Sequence, residues 1–170
     1  MKAERLVEIT CTINSTLVHK KISPNQTLCD FLHDEMNMTG VKKGCDTGEC
    51  GACTILLDGK PVTSCLILAP QIHEHKITTI EGISTGPDLH PVQECFIELD
   101  AAQCGYCIPG MIMTASAVAK EKPNLTEAEL KRYLSGNLCR CTGYQQQLQA
   151  VMLACKRMAA RKADGTHPTA

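Results

Sequence analysis

Eight of the twelve cysteines in this 170-residue chain fall into two spaced sets of four, and nothing else in the sequence limits its fold as tightly. The first set is Cys45, Cys50 and Cys53, followed after a hairpin by Cys65. C-x4-C-x2-C with a distant fourth cysteine is the plant-type [2Fe–2S] spacing. Gly44, Gly48 and Gly51 let such a loop wrap closely, and its N–H groups can form a concavity for an anionic cluster. The second set pairs Cys104 and Cys107 with Cys139 and Cys141. C-x-C is uncommon as a chelating pair, which makes this constellation specific. Each pair falls between two expected helices, so two helix N-termini can point toward one anionic cluster.

A cysteine count this high has two readings, and the compartment decides between them. Met1 to Leu6 carries neither an apolar secretory stretch nor a twin-arginine pair, and no apolar run is long enough to span a bilayer. The expected location is cytoplasmic, where thiols stay reduced and such cysteines indicate metal ligands before disulfides. A net charge of −1 and a pI near 6.6 give no support for a nucleic-acid or anionic-membrane partner. With no Trp, 2 Phe and 3 Tyr, the core must be built from aliphatics, Met and Cys, and bound cofactors can supply stability that such a core lacks.

Periodicity divides the chain. Val7, Ile9, Cys11 and Ile13 alternate with polar residues as in a half-buried strand. Asn14 to Thr16 reads as a turn and Leu17 to Ile22 as the partner strand. Thr27 caps a short helix carrying Leu28, Phe31 and Leu32 inward. Asp58-Gly59 between Thr54–Leu57 and Lys60–Ser64 signals a type I′ hairpin, and Lys76 to Ile80 one more strand. Gly82, Gly86 and Pro87 then mark a linker, after which apolar residues take helical spacing. Val92, Cys95, Phe96 and Leu99 define one helix, and Pro109 opens a second through Ala119. Thr126 and Glu129 form the capping box of a third that ends at Gly136, and Leu148, Val151, Met152 and Cys155 define a fourth. The expected fold class is α+β. Residues 1–80 form a small mixed sheet with one helix, 81–90 a linker, 91–160 a four-helix bundle, and 161–170 a polar, disordered tail.

Gly44-Cys45-Asp46-Thr47-Gly48-Glu49-Cys50-Gly51-Ala52-Cys53-Thr54, Gln103-Cys104-Gly105-Tyr106-Cys107 and Gly136-Asn137-Leu138-Cys139-Arg140-Cys141-Thr142-Gly143-Tyr144 resemble the signatures of the xanthine oxidase family of molybdenum hydroxylases. To about residue 160 the chain resembles the small subunits of its multi-chain members, such as the xanthine, nicotinate, carbon monoxide and 4-hydroxybenzoyl-CoA enzymes. The resemblance implies an N-terminal ferredoxin-like β-grasp domain and a C-terminal four-helix domain. It implies that Cys104, Cys107, Cys139 and Cys141 hold the cluster nearer a molybdopterin cofactor, and that Cys45, Cys50, Cys53 and Cys65 hold the one nearer FAD. Gln103 and the Cys141 region would touch the pterin. The partners implied are a large molybdopterin-binding subunit and a medium FAD-binding subunit, in a heterotrimer or a dimer of heterotrimers. Ile108 stands where Thr is usual and Gln147 where an aliphatic residue is usual, departures that bear on local packing.

The chain has no dinucleotide fingerprint, phosphate loop or nucleophile–base motif, so no residue of its own is expected to be catalytic. The expected role is an electron relay from molybdenum through two [2Fe–2S] clusters to flavin, with substrate oxidation, of a purine or another N-heterocycle, on a partner chain. Two other classes fit less well. A structural zinc protein would also use four-cysteine sets, but C-x4-C-x2-C and C-x-C suit iron–sulfur better. A free-standing ferredoxin would have no need of the helical half. Thr54 and Ile108 stand where c-type haem attachment requires His. Cys11, Cys29, Cys95 and Cys155 read as small buried apolar residues, and Met111, Met113, Met152 and Met158 as helix core or interface. His73-x-His75 reads as a solvated pair before a chelating one, and Glu127 to Arg132 as an exposed helix face. Arg140 is either a solvated cation or a group that stabilises a reduced cluster or a partner contact.

Overall fold

The computed structural model describes residues 6–84 and 86–163. Strand β1 (Val7–Ile13) buries Ile9, Cys11 and Ile13 on one face and pairs antiparallel with β2 (Thr16–Ile22). The link is only Asn14-Ser15, both left-handed at φ 48° and 68°, the backbone of a type I′ turn. Neither residue is glycine, and the turn is held from outside: the Asn14 amide donates to Thr79 Oγ1 at 2.9 Å and its carbonyl accepts from Thr79 N–H at 2.9 Å. Helix α1 (Leu28–Asp30) starts where Thr27 Oγ1 accepts from Asp30 N–H at 3.1 Å, and runs on as a π turn over Phe31–Glu35. The wider turn carries Phe31 and Leu32, both fully buried, onto the sheet.

The Asp58-Gly59 turn joins β3 (Thr54–Leu57) to β4 (Lys60–Thr63), with φ 50° and 79°. Strand β5 (Lys76–Thr78) stops short of Ile80, because Thr79 is drawn to Asn14 and the chain folds into a 3-10 turn over Ile80–Gly82. The sheet order is β2-β1-β5-β3-β4, parallel between β1 and β5 and antiparallel elsewhere. One hydrophobic core gathers Ile9, Ile13, Leu28, Phe31, Ile55 and Ile77.

A second core is built by helices α2 (Pro91–Glu98), α3 (Ile108–Glu121), α4 (Glu127–Leu134) and α5 (Gln145–Ala163), around Phe96, Met111, Met113, Leu130, Val151 and Cys155. The Thr126–Glu129 box is formed in both directions: Thr126 Oγ1 accepts from Glu129 N–H at 3.3 Å, and Glu129 Oε2 accepts from Thr126 N–H at 2.9 Å. Ser135 caps α4, and Gly136 does not take the left-handed turn expected of it. Helix α5 continues to Ala163, three residues into the expected tail, and residues 164–170 lie outside those described. The continuation has a cause: Arg157 Nη2 meets Glu98 at 2.7 Å and Arg161 Nη2 meets Glu94 at 3.2 Å, two rungs tying α5 to α2. The chain is thus mixed α and β. Among the described residues no helix is long and apolar enough to cross a membrane.

His90 caps α2, its Nδ1 accepting from Val92 N–H at 3.2 Å, which a neutral ring can do and a protonated one cannot. Burial pushes its pKa down from 6.5 to about 4. The folded value lies below the unfolded one, so the unfolded chain binds the proton more tightly. The contribution is complete above pH 6.5 and disappears as pH falls toward about 4. His90→Asn keeps a capping acceptor but removes the titration. Urea unfolding across this window should show a shallower loss of stability in the variant, and identical slopes would contradict the assignment.

Candidate metal centres

The first cysteine set is assembled by the β3–β4 hairpin. Cys53 immediately precedes β3, and Cys65 lies in the 3-10 turn Ser64–Leu66 that leaves β4. Because the hairpin returns on itself, the two cysteines end side by side and buried. Ser64 locks the register, its N–H and hydroxyl donating to Cys53 O at 3.3 and 2.8 Å. Burial, with the Cys53 thiol beside it, pushes Cys65 up to about 12. Cys45 lies outward in the loop. The Thr47 side chain and the N–H groups of Thr47 and Cys50, both at 3.4 Å from its sulfur, hold it down to about 6. Burial and the neighbouring Cys45 raise Cys50.

The second set comes from two loops that precede helices. Cys107 is the N-cap of α3, and Cys139 and Cys141 lie in the segment that leads into α5. Cys141 Sγ stands 3.6 Å from Cys104 Sγ. Cys107 and Cys139 form the other pair: burial first, then the Cys139 thiol, push Cys107 up to about 12. Cys139 is itself partly desolvated, but the Thr142 hydroxyl and the N–H groups of Cys141 and Thr142 outweigh burial and bring it to about 6. Tyr144, left-handed at φ 68°, turns its hydroxyl back to accept Cys139 N–H at 2.7 Å. A non-glycine residue in that region is strained by roughly 1–3 kcal/mol, a cost the Cys139 loop sustains.

The donor chemistry fits the group that the spacing implies. In each set one thiol ionises readily, Cys45 in the first and Cys139 in the second, while Cys50 and Cys65, and Cys107 and Cys141, are pushed up by burial and by neighbouring thiols. Four thiolates can coexist there only with positive charge among them, which two ferric ions supply. The sulfurs lie as pairs, as two irons with two thiolates each require.

The two sets share a seam. Leu138 N–H donates to Cys50 O at 2.9 Å, so a residue adjoining one set is bonded to a residue of the other. Asn137 Nδ2 donates to Gly51 O at 3.2 Å, and Tyr106 OH to Lys43 O at 2.8 Å. Gly51 is left-handed at φ 68°, and a Cβ there would lie 2.2 Å from Gly136 O. A Cβ on Gly110 would lie 2.2 Å from Gly51 O. The α3 backbone, the Cys50 loop and the end of α4 therefore touch directly.

Gln103, Cys104 and Cys141 are exposed, with Tyr106 and Leu138 beside them at 48% and 55% exposure, large values for apolar side chains next to a metal set. Cys11, Cys29, Cys95 and Cys155 are all buried. Cys95 additionally receives Arg157 Nη1 at 3.4 Å. His73 and His75 do not converge: His73 Nδ1 accepts from Thr10 N–H at 3.0 Å, while His75 Nδ1 meets Asp58 Oδ2 at 2.6 Å. Met111, Met113 and Met158 are core residues and Met152 is half-buried, while Arg140 is exposed. Gln147, which its sequence position marks only as a packing change, is fully buried with its amide against two sulfurs of the second set. A glutamine at an inward helical position is the signal that could have found it.

Residues 79–152 match the family model described as a [2Fe-2S] binding domain. The nicotinate dehydrogenase small FeS subunit of Eubacterium barkeri is 44% identical, over 90% of this chain and 98% of that one. The xanthine dehydrogenase iron-sulfur-binding subunit of Escherichia coli is 43% identical, over 89% of this chain and 96% of its own. Among solved structures, a chain of quinoline 2-oxidoreductase from Pseudomonas putida 86 superposes with a TM-score of 0.87 at 41% identity, covering 92% of this chain and 97% of that one. Such relatives are electron-transfer components of oxidoreductases, and the likeness runs nearly end to end. This chain belongs to the xanthine oxidase family of molybdenum hydroxylases, as one of its small [2Fe–2S] electron-transfer subunits.

Proposed function

We propose that Cys104, Cys107, Cys139 and Cys141 ligate the cluster nearer a partner's molybdopterin, and that Cys45, Cys50, Cys53 and Cys65 ligate the cluster nearer flavin. The observation that carries this reading is an asymmetry of exposure: Cys104 and Cys141 of the second set are exposed beside Gln103, whereas no cysteine of the first set is, Cys45 and Cys50 being half-buried and Cys53 and Cys65 buried. When bound, the two clusters supply one-electron redox centres that accept and release electrons in turn. The protein holds each set in shape, keeps water from Cys53, Cys65 and Cys107, and aims N–H groups at Cys45 and Cys139. The Cys50–Leu138 hydrogen bond keeps the two sets at a fixed separation.

On this reading the sheet half is a ferredoxin-like β-grasp domain over 1–80 and the helical half a four-helix bundle domain over 91–160, joined by a linker at 81–90. The two separate hydrophobic cores support that division. The exposed Gln103, Tyr106, Leu138 and Cys141 face a large molybdopterin-binding subunit, with Gln103 and Cys141 at the pterin. A medium FAD-binding subunit completes a heterotrimer, single or paired. Thiolate-ligated clusters favour the reducing cytoplasm. The substrate class is an N-heterocycle, in keeping with relatives named for nicotinate, xanthine and quinoline.

Gln103→Ala in the assembled enzyme tests the docking face. Both cluster signals should persist while substrate-driven reduction of the clusters slows about tenfold, the loss usual when a group beside a metal centre is removed. Disappearance of a whole cluster would make Gln103 structural instead.

A further inference from the structure

Gln147 is a polar side chain with no exposed surface, on the first turn of α5. Its Nε2 lies 3.7 Å from Cys139 Sγ and 3.9 Å from Cys107 Sγ, within reach of an N–H···S hydrogen bond to each. Its Oε1 accepts from the Thr142 hydroxyl at 2.8 Å, and Thr142 Oγ1 in turn accepts from Tyr144 N–H at 3.3 Å. A buried amide is costly unless its hydrogens find acceptors. Metal-bound thiolates are acceptors only, and the single Thr142 hydrogen is shared between Gln147 Oε1 and Cys139 Sγ, 3.0 Å from the hydroxyl; with its nitrogen toward the sulfurs, the Gln147 amide donates to both thiolates either way. The flipped amide would aim a carbonyl at two thiolates.

We infer that Gln147 is a positioning residue for the second cluster, donating to Cys107 and Cys139 and raising the cluster's reduction potential. Reduction adds one electron of negative charge to the core, spread onto its sulfurs. Donors aimed at those sulfurs stabilise the reduced form more than the oxidised one. An aliphatic side chain in the same place would withdraw that stabilisation. The inference rests on the proposed ligation by Cys107 and Cys139.

The test is a redox titration of the assembled enzyme, followed by electron paramagnetic resonance, in Q147M and Q147L. Methionine keeps the length of the side chain and leucine gives a compact aliphatic, and neither has a donor. The midpoint of the second cluster should fall by about 59 mV, a tenfold shift of a one-electron equilibrium, while that of the first cluster stays where it was. Unmoved midpoints with both signals at full intensity would overturn the role of Gln147 alone. Survival of both signals in Cys139→Ser would instead overturn the ligation beneath it. If neither Gln147 variant assembles, nitrogen-15 placed in the side-chain amide of Gln147 alone decides the matter. A hyperfine coupling from that nitrogen to the reduced second cluster supports the inference, and its absence overturns it.

Discussion

Cys139→Ser and Cys104→Ser should each remove one of two reduced [2Fe–2S] signals, leave the other intact, and lower turnover with the natural acceptor about a hundredfold or more. The magnitude follows from position. Removing an outer partner of a metal ligand costs up to about a hundredfold, and these substitutions remove a ligand itself. The selectivity follows from the two cores: Cys104 and Cys139 are carried by the loops before α3 and α5, whereas Cys45 to Cys65 hang on the β3–β4 hairpin. Cys139 is the more informative site. Its thiol is held near 6 by the Thr142 hydroxyl and two N–H groups that outweigh burial, and serine offers no comparable anion to those donors. Normal turnover in either variant would sink the ligand assignment. Loss of both signals would mean that the two sets fold as one unit.

Gly51→Ala and Gly110→Ala should be nearly as damaging, through a different cause. The Cβ of either would fall 2.2 Å from a backbone oxygen, Gly136 O for the first and Gly51 O for the second. Backbone on both sides leaves no flexible side chain to yield, so a shift of the seam is the only relief. Overpacking of this kind costs about 3 kcal/mol, and Gly51 adds the strain of a left-handed alanine at φ 68°. Thermal unfolding measures the loss. The magnetic interaction between the two reduced clusters measures the shift, since the Leu138–Cys50 and Asn137–Gly51 hydrogen bonds set their spacing. A variant as stable as the parent, with an unchanged interaction, would show the seam to be looser than its contacts imply.

The sequence speaks clearly wherever a local rule decides conformation. Asp58-Gly59 forms its turn with both residues left-handed, Thr126 and Glu129 form their box, and Thr27 caps α1. Each depends on residues a few positions apart. Asn14-Ser15 is less legible, because what holds two non-glycine residues left-handed is Thr79, far along the chain. The end of α5 was hidden for the same reason: Arg157 and Arg161 extend the helix by pairing with Glu98 and Glu94 on α2. Cysteine spacing announces two clusters, yet the pairing of Cys104 with Cys141 needs both loops in space. Gln147 marks the limit most sharply. Its position in sequence says only that an aliphatic residue is missing, while its chemistry is set by sulfurs that two separate loops bring to it.

One chain of this size is expected to hold two distinct [2Fe–2S] clusters, one on each four-cysteine set. Spin-quantified electron paramagnetic resonance of the fully reduced native protein, recorded at several temperatures, tests it most directly. Two signals of one spin each per chain, relaxing differently with temperature, are the predicted result. A single one-spin signal, or none, from intact and metal-replete protein would contradict it and leave the Cys104–Cys141 set to zinc or to structure.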